Sequence, residues 1–424
     1  MNLSTAKERR GRERLEPHAL AEYQLQRFNR LLDEILPAND FYAQKLAGQS
    51  RPLATLEQLG DWPFTYKEEL IAADRGNELA ANLTYPLERY SRLHQTSGTR
   101  GRPLVVLDTV DDWRWWLEGW QYVLDAAEVG PSDRVLMAFS FGPFIGFWSA
   151  YDAIAHRGCL VIPTGGLNSA ARLQLARTAR ANVLCCTPTY ALHLMEIAEQ
   201  HQIDTTSLGI RAIIVAGEPG GSIPAIRTRI EAGFQATLID HAGATEVGPW
   251  GYGDAAGLGL YVNEAEFIAE LLSLKTGEPA AEGELAELVL TTLGRAGSPV
   301  IRYRTGDLVR RSPRIDSANR FAFLEGGVLS RADDMLVIRG VNIFPSSVEQ
   351  ILRSFPEMVE YRMTAYKLAA MDQLTIEIED RLEQPQRVAD ELQLRLGLKI
   401  DVQCVPLGSL PRSEAKGRRF VDRR

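Results

Sequence analysis

Apolar and polar positions change their period several times along the chain, and each period predicts a different kind of element. Near the N-terminus the apolar residues recur at helical spacing, which predicts a polar, helical segment over residues 1 to about 80. From Val105 onward, short apolar runs alternate with helical patterns, as is typical of a parallel sheet covered on both faces. The predicted strands cover residues 135–139, 159–162, 183–186, 212–215 and 236–239, and the predicted helices cover 111–127, 170–180 and 190–200.

The pattern changes again near residue 258, where shorter alternating runs predict antiparallel strands. Residues 266–272, 283–292 and 300–303 alternate in this way, with turn sequences between them. From about residue 333 the chain predicts a helix at 346–355, a strand at 373–379, a helix at 385–396 and a strand at 401–406. We therefore predict an α/β fold with a large N-terminal domain, residues 1–332, containing mixed and parallel sheets. That domain carries a helical cap over about 1–80 and a β-rich subdomain over about 258–332, and a small α+β domain, 333–424, follows it.

Two apolar features invite a functional interpretation, and each has a plainer one. Residues 135–155 are long and apolar, but Gly142, Pro143 and Asp152 interrupt them, so a strand, a loop and a buried helix are predicted instead of a membrane span. Trp113, Trp116 and Trp120 recur at helical spacing, which favours an aromatic stripe of the core over a cofactor site.

Composition narrows the class of protein. The 424 residues carry a net charge of −8, with 45% hydrophobic and 24% charged residues, which is ordinary for a soluble globular protein. An acidic balance argues against nucleic acid as a partner. Four cysteines without a CxxC pair predict free thiols in a reducing compartment, and no signal peptide is recognised, so we expect a cytoplasmic protein without membrane association.

The candidate chemistry begins with a run of small, hydroxylated and basic residues, Thr96-Ser97-Gly98-Thr99-Arg100-Gly101-Arg102-Pro103. Its hydroxyls and backbone N–H groups could wrap an anion, because glycine allows the backbone to approach a phosphate. The spacing is not that of a Walker A loop, and an ordinary surface turn is the competing interpretation. Four further motifs follow in order: His241-Ala242-Gly243-Ala244-Thr245-Glu246, Tyr303-Arg304-Thr305-Gly306-Asp307, Arg331-Ala332-Asp333 with Arg339-Gly340, and Pro411-Arg412-Ser413-Glu414-Ala415-Lys416.

In this order the five motifs resemble those of the adenylate-forming, AMP-binding acyl-CoA synthetases, most closely the phenylacetate–CoA ligase-like branch. The resemblance implies an ATP-dependent, AMP-forming carboxylic acid–CoA ligase that works in two steps through an acyl-adenylate. It also implies ATP, Mg²⁺ and coenzyme A as cofactor and substrates, and a C-terminal domain that swivels between the steps.

The resemblance also implies a role for individual residues. Lys416, Glu246 and Thr245 are expected to be catalytic, with Glu246 as the Mg²⁺ ligand. ATP or AMP is expected to contact Thr96, Ser97, Gly98, Thr99, Gly101, Gly217, Glu218, Pro219, His241, Ala242, Gly243, Asp307 and Arg331. The acyl pocket is expected at Phe141, Gly142, Pro143, Phe144 and Ile145, and the hinge and CoA channel at Asp333, Arg339 and Gly340.

Departures from the family pattern leave some alternatives open. The family commonly has an aromatic residue at the position of Ala242, so His241 or a neighbour is expected to stack on adenine instead. Residues 247–270 contain neither Cys nor His, which predicts no structural zinc. The bulk of Phe141 and Phe144 favours a small aromatic or short branched acid. A carrier protein or an amine as acyl acceptor, a homodimer, and a non-catalytic nucleotide-binding homologue remain alternatives.

Overall fold

The computed structural model describes most of the chain. The described residues are 3–71, 79–96, 103–313, 318–332, 336–338, 341–368, 371–411 and 419–424. They form the helices α1 (Ala6–Glu13), α2 (Pro17–Ile35), α3 (Asp40–Lys45), α4 (Lys67–Leu70), α5 (Val110–Ala126), α6 (Ile145–His156), α7 (Ser169–Thr178), α8 (Pro188–Gln200), α9 (Pro224–Phe234), α10 (Pro345–Arg353) and α11 (Pro385–Leu396). Their strands are β1 (Tyr90–Gln95), β2 (Val105–Thr109), β3 (Arg134–Met137), β4 (Leu160–Pro163), β5 (Val183–Cys186), β6 (Ala212–Ala216), β7 (Thr237–Ala244), β8 (Gly248–Tyr252), β9 (Gly259–Val262), β10 (Phe267–Ser273), β11 (Leu285–Thr292), β12 (Tyr303–Arg310), β13 (Phe323–Glu325), β14 (Ser330–Arg331), β15 (Leu336–Ile338), β16 (Val341–Ile343), β17 (Met358–Leu368), β18 (Met371–Asp380), β19 (Asp401–Cys404) and β20 (Phe420–Asp422).

The N-terminal helices form a cap over the β-rich part of the molecule. Helix α2 starts at Pro17, which suits the first turn of a helix, and buries an apolar stripe that includes Phe28 and Ile35. That stripe shares one core cluster with Ile268 and Ile301, which lie in and beside the antiparallel strands. Helices α1 to α4 lie within the range predicted as helical, and the extent of the cap to about residue 80 stays a prediction.

Strands β1 and β2 precede and follow the Ser/Thr/Gly-rich sequence, of which residues 97–102 lie outside the described residues. The strands pair antiparallel, and the neck closes where the amide of Thr96 donates to the carbonyl of Leu104 at 2.9 Å. The Leu104 amide donates in return to Oγ1 of Thr96 at 3.0 Å. Helix α5 starts directly after β2, with a capping box between Thr109 and Asp112.

An eight-stranded sheet forms the centre, in the order β13-β9-β8-β7-β6-β5-β3-β4. The strands from β4 to β7 run parallel, and β8, β9 and β13 pair antiparallel at the other end. Helices α5 and α6 cover one face, where alternate strand residues such as Val135 and Ile239 are buried. Helices α7, α8 and α9 cover the other face over Leu136 and Leu238. The α/β class is therefore confirmed, and the tryptophan stripe of α5 lies in the core.

The remaining strands form smaller sheets. Strands β10, β11, β12 and β14 make an antiparallel sheet in that order, whereas β9 and β13, which lie in the same stretch of sequence, belong to the central sheet. In the C-terminal part, β19-β18-β17-β20 form a sheet whose core is shared with α10 and α11 through Val348, Ile376 and Val388. None of the helices in the described ranges combines the length and the apolar character that crossing a bilayer requires.

Candidate active site

The first part of the candidate site is the turn after β6, at the carboxyl end of the parallel strands, where open α/β sheets bind ligands. Gly217 has a φ of +93°, a conformation that favours glycine, and it turns the chain toward Glu218 and Pro219. The Glu218 carboxylate accepts hydrogen bonds from the amide of Thr189, at 2.9 Å, and from its hydroxyl. Burial raises the pKa of Glu218, while these two hydrogen bonds act in the opposite direction. The turn is thus fixed to the start of α8.

The second part is the end of β7 and the turn that follows it, which carries Thr245 and Glu246. Oε1 of Glu246 accepts a hydrogen bond from the Tyr303 hydroxyl at 2.8 Å, and the glutamate is only partly buried. Among the described residues, Oε2 of Glu246 has no hydrogen-bond donor, so this oxygen is available to a cation. Because Mg²⁺ usually takes one or two carboxylates together with substrate phosphates, a single fixed glutamate fits Mg²⁺ bound with ATP.

His241 does not lie where the adenine base was expected. Its ring is buried on the α5 side of the sheet, with its centroid 4.3 Å from that of Trp120. Nδ1 of His241 lies 2.7 Å from the carbonyl oxygen of Gly251, and burial lowers the pKa of the imidazole to about 4. Because side chains alternate along a strand, Ala242 faces the opposite side. The expectation that the His241 ring stacks on adenine is therefore wrong.

Asp307 and Arg331 form the third part of the site, as direct partners across β12 and β14. Nη1 of Arg331 donates to Oδ1 of Asp307 at 2.9 Å, and Nη2 donates to the carbonyl of Thr305 at 3.0 Å. Gly306, between Thr305 and Asp307 in the sequence, has a φ of +73°. A Cβ at this position would lie 3.0 Å from Nη2 of Arg331. The glycine thus leaves room for the arginine, and the pair presents a carboxylate suited to a vicinal diol.

Residues 141–145 form the wall expected for the acyl group. The backbone amide of Gln95 donates to the carbonyl of Pro143 at 2.8 Å, so this segment lies against the neck of the β1–β2 hairpin. The Phe141 ring is 4.8 Å from that of Trp148, whose Nε1 donates to the Gly142 carbonyl at 2.9 Å. Phe144 is 38% exposed, whereas Ile145 is buried in the cluster that also contains Val247. The wall therefore contacts the neck of the β1–β2 hairpin and shares a core cluster with Val247, the residue after Glu246.

Several expected site residues lie outside the described residues. They are Ser97, Gly98, Thr99 and Gly101 of the phosphate loop, and Asp333, Arg339, Gly340 and Lys416 of the C-terminal part. Their roles stay predictions. Over the ranges that the structure describes, there is no group of three or more His, Cys, Asp and Glu residues that could hold a metal ion, and the expected absence of a structural zinc likewise stays a prediction.

Three residues beside the site were not anticipated from the sequence. Asp108 and Arg295 form a buried ion pair behind the turn of Glu246, and Tyr303 contacts the glutamate itself. Arg295 has no motif around it, so the sequence offers no signal for it. Tyr303 is the first residue of the motif that contains Asp307, and this position could have identified it as a candidate site residue.

Comparison with known proteins identifies the family of the chain. Residues 90–290 match the family of AMP-binding enzymes, and residues 340–424 match the AMP-binding enzyme C-terminal domain. A phenylacetate-coenzyme A ligase of Pseudomonas putida is 31% identical, over 96% of this chain and 94% of the relative. The ligase of the same name from Escherichia coli K12 is 33% identical, over 87% of this chain and 86% of the relative.

The fold is also that of a solved enzyme of this kind. The crystal structure of 2-hydroxyisobutyryl-CoA ligase, in the postadenylation state with 2-HIB-AMP, aligns with a TM-score of 0.92 at 24% identity. The alignment covers 100% of this chain and 94% of that one. The family matches and the relatives agree that the chain belongs to the adenylate-forming AMP-binding enzymes, on the phenylacetate–CoA ligase branch of the AMP-forming acid–CoA ligases.

Proposed function

We propose that this acid–CoA ligase activates a small aromatic or short branched carboxylic acid, which binds against residues 141–145 beside the phosphate hairpin. The observation that carries the proposal is the 2.8 Å hydrogen bond from the Gln95 amide to the Pro143 carbonyl. It fixes the acyl wall next to Thr96, the first residue of the phosphate loop, so a carboxylate held there would lie near the bound phosphates.

The aromatic residues of the wall favour the binding of a short, flat or compact acyl group. Phe141 packs on Trp148 and lies 6.0 Å from Tyr151, while Phe144 lies 6.5 Å from Phe147, so aromatic rings crowd the space on this side. A long alkyl chain would have to disrupt these contacts between aromatic rings, each of which contributes to the stability of the wall. The names of the relatives, phenylacetate-coenzyme A ligase and 2-hydroxyisobutyryl-CoA ligase, describe one acid of each proposed kind.

Different residues of the chain have separate roles in the adenylation step. Glu246 would hold Mg²⁺, which neutralises charge on the phosphates as pyrophosphate leaves. Asp307 accepts hydrogen bonds from the ribose hydroxyls, and Arg331 keeps its carboxylate in place at 2.9 Å. Gly217, Glu218, Pro219, Ala242 and Gly243 form the edges of the strands where the adenine binds.

The residues outside the described ranges complete the proposal by resemblance. The ammonium of Lys416 stabilises the charge that builds up where a carboxylate oxygen attacks the α-phosphorus. The chain pivots at Asp333 before the second step, and Arg339 and Gly340 then border the channel through which the thiol of coenzyme A attacks the acyl-adenylate.

An ATP–pyrophosphate exchange assay tests the proposed substrate class without presupposing the acceptor. Phenylacetate, benzoate and 2-hydroxyisobutyrate are compared with decanoate. We expect exchange with at least one of the three small acids and at least tenfold less with decanoate. Phe144→Ala should narrow that difference, and Phe355→Ala, in the C-terminal core cluster, is the control that should leave the preference unchanged. Decanoate exchanging as fast as the small acids would contradict the proposal.

A further inference from the structure

A buried charge cluster lies behind the turn that carries Thr245 and Glu246. The side chains of Arg295 and Asp108 are both fully buried, and Nε of Arg295 donates to Oδ1 of Asp108 at 2.8 Å. Nη1 of Arg295 donates to the backbone carbonyl of Thr245 at 3.0 Å. One guanidinium therefore bonds a carboxylate on one side and the backbone next to Glu246 on the other.

The carboxylate partner belongs to the phosphate hairpin. Asp108 is in β2, and the neck of the same hairpin is closed by the paired hydrogen bonds of Thr96 and Leu104. Arg295 thus bonds the base of the hairpin that carries the phosphate loop and the turn that carries the metal-ligand candidate. Arg295 therefore bonds both parts at once, beside the apolar core cluster that contains Val106 of β2 and Val247 of the turn.

The segment that carries Arg295 is itself held rigidly. The amide of Gly297 donates to Oδ1 of Asp112 at 3.0 Å, and Oγ of Ser298 donates to the Leu107 carbonyl at 2.6 Å. A Cβ at Gly297 would collide with the Asp112 carboxylate, so the segment packs directly on the start of α5. Eight residues after Arg295, Tyr303 donates its hydroxyl to Oε1 of Glu246 at 2.8 Å.

We propose that Arg295 and Tyr303 are positioning residues for metal-bound ATP, with Arg295 fixing the backbone of Thr245 and Tyr303 fixing the carboxylate of Glu246. The inference rests on the proposed role of Glu246 as the Mg²⁺ ligand. The partners of a metal ligand orient it, and their loss typically weakens metal binding about 10–100-fold. Asp108 supports the same arrangement, because its carboxylate binds the Arg295 guanidinium at the base of the phosphate hairpin.

The test measures metal binding directly, with Mn²⁺ as the probe in the presence of α,β-methylene-ATP, followed by electron paramagnetic resonance on the full chain. The variants are Tyr303→Phe and Arg295→Lys, since lysine keeps the charge but cannot span both partners. Arg302→Lys is the matched control, because Arg302 also bonds one carboxylate, that of Glu270, and the carbonyl of Gly60. Tyr42→Phe is the control for a buried hydroxyl, since the Tyr42 oxygen accepts from the Ile301 amide at 2.9 Å.

We expect Tyr303→Phe and Arg295→Lys to raise the Mn²⁺ half-saturation at least tenfold, whereas both controls leave it unchanged and lower only the stability of the ligand-free protein in urea. If the two variants lose stability as the controls do but bind Mn²⁺ within twofold of the wild type, the cluster is structural only. If Arg295→Lys does not fold, Tyr303→Phe decides the question. Glu246→Gln is the reference: unchanged Mn²⁺ binding there would overturn the metal assignment and this inference together, while a loss there alone would overturn only this inference.

Discussion

The imidazole of His241 shows how strand geometry decides the role of a single residue. The ring is buried against Trp120, and its pKa is lowered to about 4 mainly because burial disfavours the charged form. The sequence placed it next to Ala242 in a recognised motif, and the motif alone suggested the wrong face. The alternation of buried Ile239 with His241 was a usable signal, because residues two apart on a strand face the same side.

A pH-dependent stability follows from this burial. Between pH 6.5 and 4 the unfolded chain binds a proton at His241 that the folded protein does not. The contribution of His241 to the free energy of unfolding is therefore complete above pH 6.5 and is lost as the pH falls toward 4. From pH 7 to 4.5 the loss should amount to about 2.5 kcal/mol, at 1.36 kcal/mol for each pKa unit. We expect His241→Asn to remove this contribution of His241, measured by urea unfolding at both pH values, while the contribution of His94, whose pKa burial also lowers to about 4, remains.

The same change at exposed His201 is the control for that experiment and should leave the wild-type pH dependence in place. If the wild type and His241→Asn lose the same free energy of unfolding between pH 7 and 4.5, the core does not hold the imidazole neutral.

At the scale of elements, the sequence predicted the parallel strands well because the central ones, such as β5 and β6, are short apolar runs buried on both faces, and edge strand β4 is apolar although Leu160 is exposed. Strand β5 was predicted with its observed bounds, and α11 also begins and ends as predicted. Strand β12 was predicted only up to its first residue. The predicted strand ended at residue 303, but pairing with β11 and β14 continues past Gly306 with a register shift. Pairing of this kind depends on neighbours distant in sequence, which no local pattern contains.

Helix α5 makes a close contact with β8 that depends on Gly119. A Cβ at this position would lie 2.5 Å from Cγ of Pro249, too close for any side chain. Alanine normally favours a helix over glycine by about 1 kcal/mol. Here the collision should dominate, and we expect Gly119→Ala to destabilise the protein by about 1–3 kcal/mol, the usual effect of overpacking a core, in urea unfolding.

Gly11 in α1 is the matched control, because a Cβ there would have no neighbour within 4 Å. Gly11→Ala should be neutral or stabilise the protein by up to about 1 kcal/mol. An equal stabilisation by both changes would show that β8 shifts easily and that the contact does not constrain α5.

At the scale of the whole molecule, the C-terminal part meets the large one over polar contacts near α8 and α9. Nη1 of Arg229 donates to the Met358 carbonyl at 3.2 Å, and Arg381 pairs with Glu199 at 3.0 Å while both side chains are more than half exposed. An exposed ion pair contributes at most about 1 kcal/mol, so the pair of Arg381 and Glu199 adds little to the stability of the contact between the two parts. The sequence predicted both parts of the molecule, but their contact depends on side chains that carry no motif.

Replacing Lys416 tests whether the two parts alternate. In the first half-reaction a carboxylate attacks a phosphate, and an ammonium between the two anions stabilises the transition state. Its loss should slow acyl-adenylate formation by about 10²–10³, as the removal of single preorganised donors does elsewhere. If the C-terminal part then rotates, Lys416 leaves the site, and Lys416→Ala given synthetic acyl-adenylate and coenzyme A should form thioester at nearly the wild-type rate.

Both half-reactions are measured on the same purified variant, with Lys399→Ala as the control for an exposed lysine of the same domain. The control should retain both rates. An equal loss of both rates in Lys416→Ala would mean that the lysine supports the fold or that it remains in the site throughout. Two unchanged rates would mean that Lys416 is an ordinary solvated side chain, and the charge needed in the first step would then have to come from another residue.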